Sequence, residues 1–319
     1  MIFDVITMGS GLVDIFTPIE AKENNKYILI PSGSKIPIKE TLVTSGGGGT
    51  NTACSISTLG LKTGFIGKIG SGHNSEIILR DLAKCNISFL GKRSNLHTGY
   101  SIILEGERKN RTILTFRGVS NTLKYSEINL SKIKTEYIHF TSANKDLLNS
   151  QAKLVDFCIK NEIKISVNPK IIKKGKPNKD LNKIIKNAHI ISMNKSEALS
   201  FVGKSKFSNL FQKIHNKGPK IVIITDGKNT GGVSDGNYIY WFNPPKINSE
   251  ECTGAGDAFI SSFLSGLIKL KNIENVIKLA VVNSSSVIKN RGAKNGLLTM
   301  SKAKTLMKKT HIKITKEKI

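Results

Sequence analysis

The sequence predicts an α/β fold: a central, mostly parallel sheet with helices on both faces, forming an αβα sandwich with a small β-strand lid. Three observations predict it. Short apolar runs recur through the second half, IHF at 138–140, IKISVN at 163–168, HIISM at 189–193 and KIVIIT at 220–225. Helix-compatible stretches at 147–161, 178–187 and 195–216 separate them, and such alternation requires crossover connections between parallel strands. Segments 12–45 and 95–118 break this rhythm with short strands and turns, so they are expected to form a lid over the sheet edge.

In chain order, FDVITMG at 3–9 is an apolar run closed by glycine, and it reads as the strand that enters the sheet. Pro18, Pro31 and Pro37 punctuate 12–45, which leaves strands and turns but no convincing helix. SGGGGTNTACSISTLG then carries glycines into a helix-compatible segment closed by Gly60, and TGFIGKIG follows as a strand candidate. Residues 73–85 read as a helix. Residues 98–104 and 111–117 read as two strands joined by the polar turn EGERKN. GVSDGNYIYW is a hairpin over a D-G turn. Two helices, 255–269 and 273–289, precede a glycine-rich turn and a basic tail. No internal repeat is present, and residues 1–319 are expected to form one domain with its lid.

Composition narrows the function. The formal charge is +26, from 49 Lys plus Arg against 23 Asp plus Glu. The lysines are spread along the chain and aromatics are only 6%, which favours a lysine-coated surface over a nucleic-acid interface. The same field suits small anions. Cys54, Cys85, Cys158 and Cys252 lie far apart with no metal-ligand or CxxC spacing, so reduced thiols and a cytoplasmic location are expected. No basic leader with a long apolar stretch opens the chain, and no apolar run spans a bilayer, so no membrane partner is expected.

The most informative segment is PPKINSEECTGAGDAFISSFLSG. Thr253, Gly254, Ala255 and Gly256 are small, and an amphipathic helix begins directly after them. Such a turn lets several backbone N–H groups approach one ligand, and at a helix N-terminus they favour a phosphate. Asp257 sits in the first helical turn. It is either a favourable N-terminal acid or a base beside a transferring phosphoryl group. Its position after the last sheet-like segments, at the carboxyl edge, favours the base.

The other glycine run, Gly46-Gly47-Gly48-Gly49-Thr50-Asn51, lacks the lysine of GxxxxGK[ST] and the spacing of GxGxxG. It instead lets a substrate approach the backbone while Asn51 offers a donor and an acceptor to hydroxyls. Asp14, just after the first strand, is a matching acceptor or a turn residue.

Together these segments resemble the ribokinase-like, or PfkB, family of carbohydrate and nucleoside kinases. The resemblance rests on GGGTNTACSISTLGLKTGFIGKIG, from Gly47 to Gly70, and ECTGAGDAFISSFLSG, from Glu251 to Gly266. Between them NKSE, Asn194 to Glu197, is similar to an N-x-x-E motif, while TDGKNTG and NRGAKNG are similar to nucleotide-side segments. The resemblance implies an ATP-dependent phosphotransferase acting on a hydroxyl of a sugar or sugar derivative, with a nucleoside as the alternative acceptor. It implies Asp257 as general base and an anion hole from the amides of Gly254, Ala255 and Gly256. Asn194, Thr225, Gly227, Thr253, Asn283 and Gly292 would serve ATP. Asp14, Gly47 and Asn51 would hold sugar hydroxyls, and Glu197, through water, with Glu251 would organise Mg2+. A monovalent cation and a monomeric or homodimeric state are both compatible with it.

Two departures stand out. Glu251-Cys252 replaces the usual Asp-Thr before the glycines, and Gly48 replaces the lysine of GGKGAN found in typical ribokinases. Unaided, NKSE is equally a helix start with a capping box. Arg111 and Arg117 lie on the expected lid strands, where they meet either a charged substrate or solvent.

Overall fold

The computed structural model describes residues 1–24, 27–38, 40–106, 110–169, 178–247 and 253–319. The strand Phe3–Met8 shows how the sequence builds the main sheet. Ile6 and Met8 join one apolar core while Val5 joins the other, so the strand is covered on both faces, as an interior parallel strand must be. Ile190–Asn194 and Ile221–Thr225 alternate the same way: Ile191, Met193, Val222 and Ile224 face one core, and Ile190 and Ile223 the other.

The resulting ten-stranded sheet runs Ile314–Lys318, Tyr238–Phe242, Gly231–Ser234, Ile221–Thr225, Ile190–Asn194, Lys164–Val167, Thr135–Phe140, Phe3–Met8, Thr63–Ile66 and Ser88–Phe89. From Ile221–Thr225 to Ser88–Phe89 every pairing is parallel, and the three strands at the opposite edge are antiparallel. Nine helices are described: α1 (Gly48–Thr58), α2 (His73–Lys84), α3 (Lys145–Lys160), α4 (Lys179–Lys186), α5 (Lys195–Val202), α6 (Phe207–His215), α7 (Ala255–Lys269), α8 (Ile273–Val287) and α9 (Met300–Lys309). Helices α3 to α6 cover one face, through Leu154, Ile184, Ala198 and Phe211. Helices α1 and α7 to α9 cover the other, through Ile56, Phe263, Leu279 and Ala303.

A second sheet holds Arg111–Gly118, Lys92–Glu105, Leu12–Pro18 and Leu42–Gly46, in that order, with Lys68–Ser71 also paired to Lys92–Glu105. These four strands form the small β lid, and two of them reach beyond the expected segments 12–45 and 95–118, to Gly46 and back to Lys92.

Several elements differ from the sequence reading. The stretch 195–216 is two helices, because Gly203 takes φ +82° and ends α5. TGFIGKIG divides into Thr63–Ile66 in the main sheet and Lys68–Ser71 on the lid. The basic tail is ordered structure: α9 packs through Ala303, and Ile314–Lys318 adds an edge strand along Tyr238–Phe242. Lysine at alternate positions hid that strand's pattern, although charged residues are what an exposed edge needs.

Candidate active site

Parallel strands bring their carboxyl ends to one edge, where Gly9-Ser10, Thr141, Asn194 and Thr225 gather. The N-terminus of α1 is fastened there. Thr7 Oγ1 donates to the Gly49 carbonyl at 3.0 Å, and the Gly49 amide donates to the Ser10 carbonyl at 3.0 Å. Gly47 caps α1 with φ +93°, and a Cβ on it would lie 2.6 Å from the Ser10 carbonyl oxygen. Glycine is therefore required by conformation and by space.

Helix α7 begins beside α1. Gly254 caps it in the left-handed region at φ +80°, and a Cβ there would meet the Ala293 Cβ at 2.5 Å. Gly254 has no side chain with which to cap this helix, and first-turn amides at such a start suit an anion. A Cβ on Gly256 would meet nothing within 4 Å, which marks open space beside the turn. Asp257 follows, and its Oδ2 accepts from Asn51 Nδ2 at 2.9 Å. Ser261 ties the two helices one turn deeper, donating to Ser55 Oγ at 2.6 Å.

The electrostatics at Asp257 suit a base. Burial pushes its carboxyl up to about 6; the Asn51 amide opposes the rise and the nearby Asp14 charge adds to it. The residue keeps partial surface exposure while its carboxylate is surrounded by protein. Asp14 is also buried, which raises its carboxyl, and the Ser101 hydroxyl, Lys294 and Arg117 oppose that rise. Its carboxylate lies against Gly46, where a Cβ would come within 1.8 Å of Oδ2. Two buried polar atoms at this edge, Asn51 Oδ1 and Thr141 Oγ1, lack a hydrogen-bond partner among the described residues. An unsatisfied buried acceptor beside two carboxylates is a receptor for hydroxyl donors.

The remaining expected residues form separate groups. Asn194 and Thr225 are register partners at the ends of adjacent strands, and Gly227 follows at φ +58° with open space over its Cα. Asn194 and Glu197 make a complete capping box: Oδ1 accepts from the Glu197 amide and Glu197 Oε2 from the Asn194 amide, both at 2.9 Å. Asn194 is exposed and Glu197 partly exposed, which permits contact with an ion through water. Among the described residues no cluster of three metal-ligating side chains exists. Glu251 and Cys252 lie outside the described residues. Thr253 is partly exposed and directly precedes the Gly254 cap.

Asn283 is fully buried, donating to Ser262 Oγ at 2.6 Å and Ser55 Oγ at 3.4 Å and accepting from the Leu298 amide at 2.9 Å. It anchors the segment that follows through Leu298. Gly292, at φ +89° and near Thr44, begins that segment.

The sequence reading did not single out Gly46, Thr141, Ser101 or Lys294. Lys294 is largely buried. Its ammonium donates to Ser45 Oγ and pairs with Asp81 at 3.1 Å, while Asp81 Oδ2 also accepts from the Ser45 amide at 3.2 Å. Burial alone would raise the Asp81 carboxyl; Lys294 and Ser45 reverse this and hold it below the ordinary range. Arg291 pairs with Glu40 at 2.7 Å and with Glu105 at 3.5 Å on the lid. The turn 291–296 thus touches the lid, α2 and the Gly254 cap together. Only its position within NRGAKNG set Lys294 apart from the other lysines.

A family model described as pfkB family carbohydrate kinase matches residues 13–300. The chain belongs to that family. It is a carbohydrate kinase, a phosphotransferase. A sugar kinase of uncharacterised specificity from Archaeoglobus fulgidus is 30% identical over 248 residues, covering 76% of this chain and 97% of that protein. The structure of Arabidopsis thaliana ribokinase complexed with ribose and ATP superposes with a TM-score of 0.81 at 19% identity, covering 97% of this chain and 99% of that one. Phosphofructokinase-2 from Escherichia coli in complex with potassium gives 0.78 at 19% identity over 97% and 99%. These superpositions carry the ribokinase-like fold with its β lid. No described helix is long and apolar enough to cross a membrane.

Proposed function

We propose that this pfkB-family kinase phosphorylates a hydroxyl of a sugar or sugar derivative, with Asp257 as general base. The observation that carries this reading is the Asn51–Asp257 pair at the uncapped start of α7, with Asp14 close enough to raise the Asp257 carboxyl. Asn51 orients the carboxylate with its amide N–H and keeps Oδ1 for a substrate hydroxyl. Asp14 accepts from further hydroxyls, and the Gly47 turn lets the sugar approach α1. Asp257 takes the proton of the attacking hydroxyl. The first-turn amides of α7, from the Gly254-Ala255-Gly256 turn, receive charge developing on the equatorial phosphoryl oxygens.

The donor set fits Mg2+-ATP. The helix start at Gly254 and open space at Gly256 suit a phosphoryl group, and exposed Asn194 with partly exposed Glu197 suits a hydrated ion. Bound there, Mg2+-ATP supplies the phosphoryl group and neutralises part of its charge. Thr225, Gly227, Thr253 and Gly292 would approach the nucleotide, and Glu251 would assist the ion. Potassium in the Escherichia coli phosphofructokinase-2 structure supports testing a monovalent cation here.

A sugar is favoured over a nucleoside because the lid face around Asp14 carries Ser101, Thr115 and Arg117, which suit polar groups. The apolar cavity of about 440 Å3 lined by Ile15, Thr17, Ile102 and Leu104 lies on the alternate, opposite face of the same strands. The test is ADP release from Mg2+-ATP across sugars, sugar phosphates and nucleosides. Stimulation by one polyol class supports the reading, and stimulation by nucleosides alone overturns it.

A further inference from the structure

Asn51 and Asp257 form the first rung of a ladder between α1 and α7. Four residues further along each helix, Ser55 meets Ser261, with the two hydroxyl oxygens 2.6 Å apart. A step of four residues returns an α-helix to the same face about 6 Å further on. The two contacts therefore lie on one seam with equal spacing on both helices. A further bond joins the rungs within α7, where Ser261 Oγ also lies 2.6 Å from the Asp257 carbonyl oxygen. The placement of Ser55 against Ser261 thus fixes where Asn51 meets Asp257.

The second rung is also held from a third side. Asn283 of α8 uses its Oδ1 to accept from the Leu298 amide at 2.9 Å. Its Nδ2 is thereby turned to the serines, donating to Ser55 Oγ at 3.4 Å and to Ser262 Oγ at 2.6 Å. Three helices and the segment at Leu298 meet at this point.

Stability alone does not call for these hydroxyls. Ser55 and Ser261 are each 1% exposed, and their chain neighbours Ile56 and Ile260 belong to the apolar core. A buried bonded pair replaced on both sides by apolar groups of similar shape is nearly neutral for folding. What a satisfied buried pair adds is a unique arrangement of the elements that carry it. Here those elements carry Asn51 and Asp257.

We propose that Ser55 is a positioning residue for the kinase reaction: through its bond to Ser261 it sets the register of α1 on α7 that brings the Asn51 amide onto the Asp257 carboxylate. It acts through Asn51 and Asp257 and touches no reacting atom. This role presupposes Asp257 as the base. With the register kept, the Asn51 N–H holds the carboxylate in one orientation and favours its ionised form against burial. With the Ser55 hydroxyl removed, that contact loosens, and the base is less well aimed and harder to ionise.

The experiment records pH profiles of kcat and kcat/KM, with the sugar identified by ADP release, for wild type, Asn51→Ala, Ser55→Ala, Ser262→Ala and the double variant Asn51→Ala/Ser55→Ala. Ser55→Ala is expected to lower kcat roughly tenfold with KM for ATP nearly unchanged. It should also move the acid limb of kcat/KM to higher pH, the direction expected of Asn51→Ala. In the Asn51→Ala background the same change should cost little more, because both remove one contact. Ser262→Ala removes a buried hydroxyl whose bonds run to Ala258 and Asn283 and not to α1, and it should keep the wild-type limb. Should Ser55→Ala prove unstable, Ser261→Ala breaks the same rung and carries the same expectations. A wild-type limb in Ser55→Ala, losses that simply add in the double variant, or an equal limb shift in Ser262→Ala would each overturn the proposal while leaving Asp257 as base. A limb unmoved by Asn51→Ala would remove the base reading, and this role with it.

Discussion

At the residue scale the account turns on two glycines that differ in what surrounds them. Gly254 has φ +80° and its missing Cβ faces Ala293 at 2.5 Å, so Gly254→Ala is expected to destabilise the fold by about 2 kcal/mol or more, read as a lowered denaturant midpoint. Gly256 has open space over its Cα and sits in the first turn of α7. Gly256→Ala should therefore leave stability unchanged or slightly raised while kcat falls, because the methyl group enters the space left for the phosphoryl group. Asp257 gives a pH prediction. Its carboxyl must be ionised to accept a proton, so kcat/KM should fall as pH drops through about 6. Asn51 stabilises the ionised form, and Asn51→Ala should shift this acid limb to higher pH. A limb that stayed in place would show that the titrating group is not Asp257.

At the scale of elements, the turn 291–296 joins lid, α2 and catalytic turn. Lys294→Met leaves the partly buried Asp81 without its cation and is expected to cost about 2 kcal/mol, measured by urea unfolding at neutral pH. Asp81 is held below the ordinary carboxylate range, so its contribution is present above that range and disappears as pH falls through it. The difference between wild type and Lys294→Met should therefore shrink in acid. How far this level was legible in the sequence depended on pattern. The parallel strands announced themselves as apolar runs because both faces are buried, and the two glycine turns because only glycine tolerates their backbone and clearances. Asn283 is ambiguous in the sequence: a polar residue on an apolar helix signals a ligand or an internal network, and sequence does not distinguish the two. In the structure it makes a network with Ser262, Ser55 and Leu298. Lys294 and Thr141 were illegible because their meaning arises only when distant segments meet.

At the scale of the whole molecule, the fold explains why the site lies where it does. Parallel strands present all their carboxyl ends at one edge, and α1 and α7 both begin there, each at a glycine with positive φ. The net charge of +26 gives the molecule a positive field that favours the arrival of an anionic nucleotide. Raising ionic strength should accordingly lower kcat/KM for ATP several-fold while changing kcat little, a comparison made at fixed Mg2+. The central claim, that Asp257 is the base of a sugar kinase, is tested most directly by the turnover of Asp257→Asn with its best sugar, alongside calorimetric ATP binding. The account predicts turnover lowered by roughly a thousandfold or more with ATP affinity nearly unchanged. Turnover within a few-fold of wild type would contradict it.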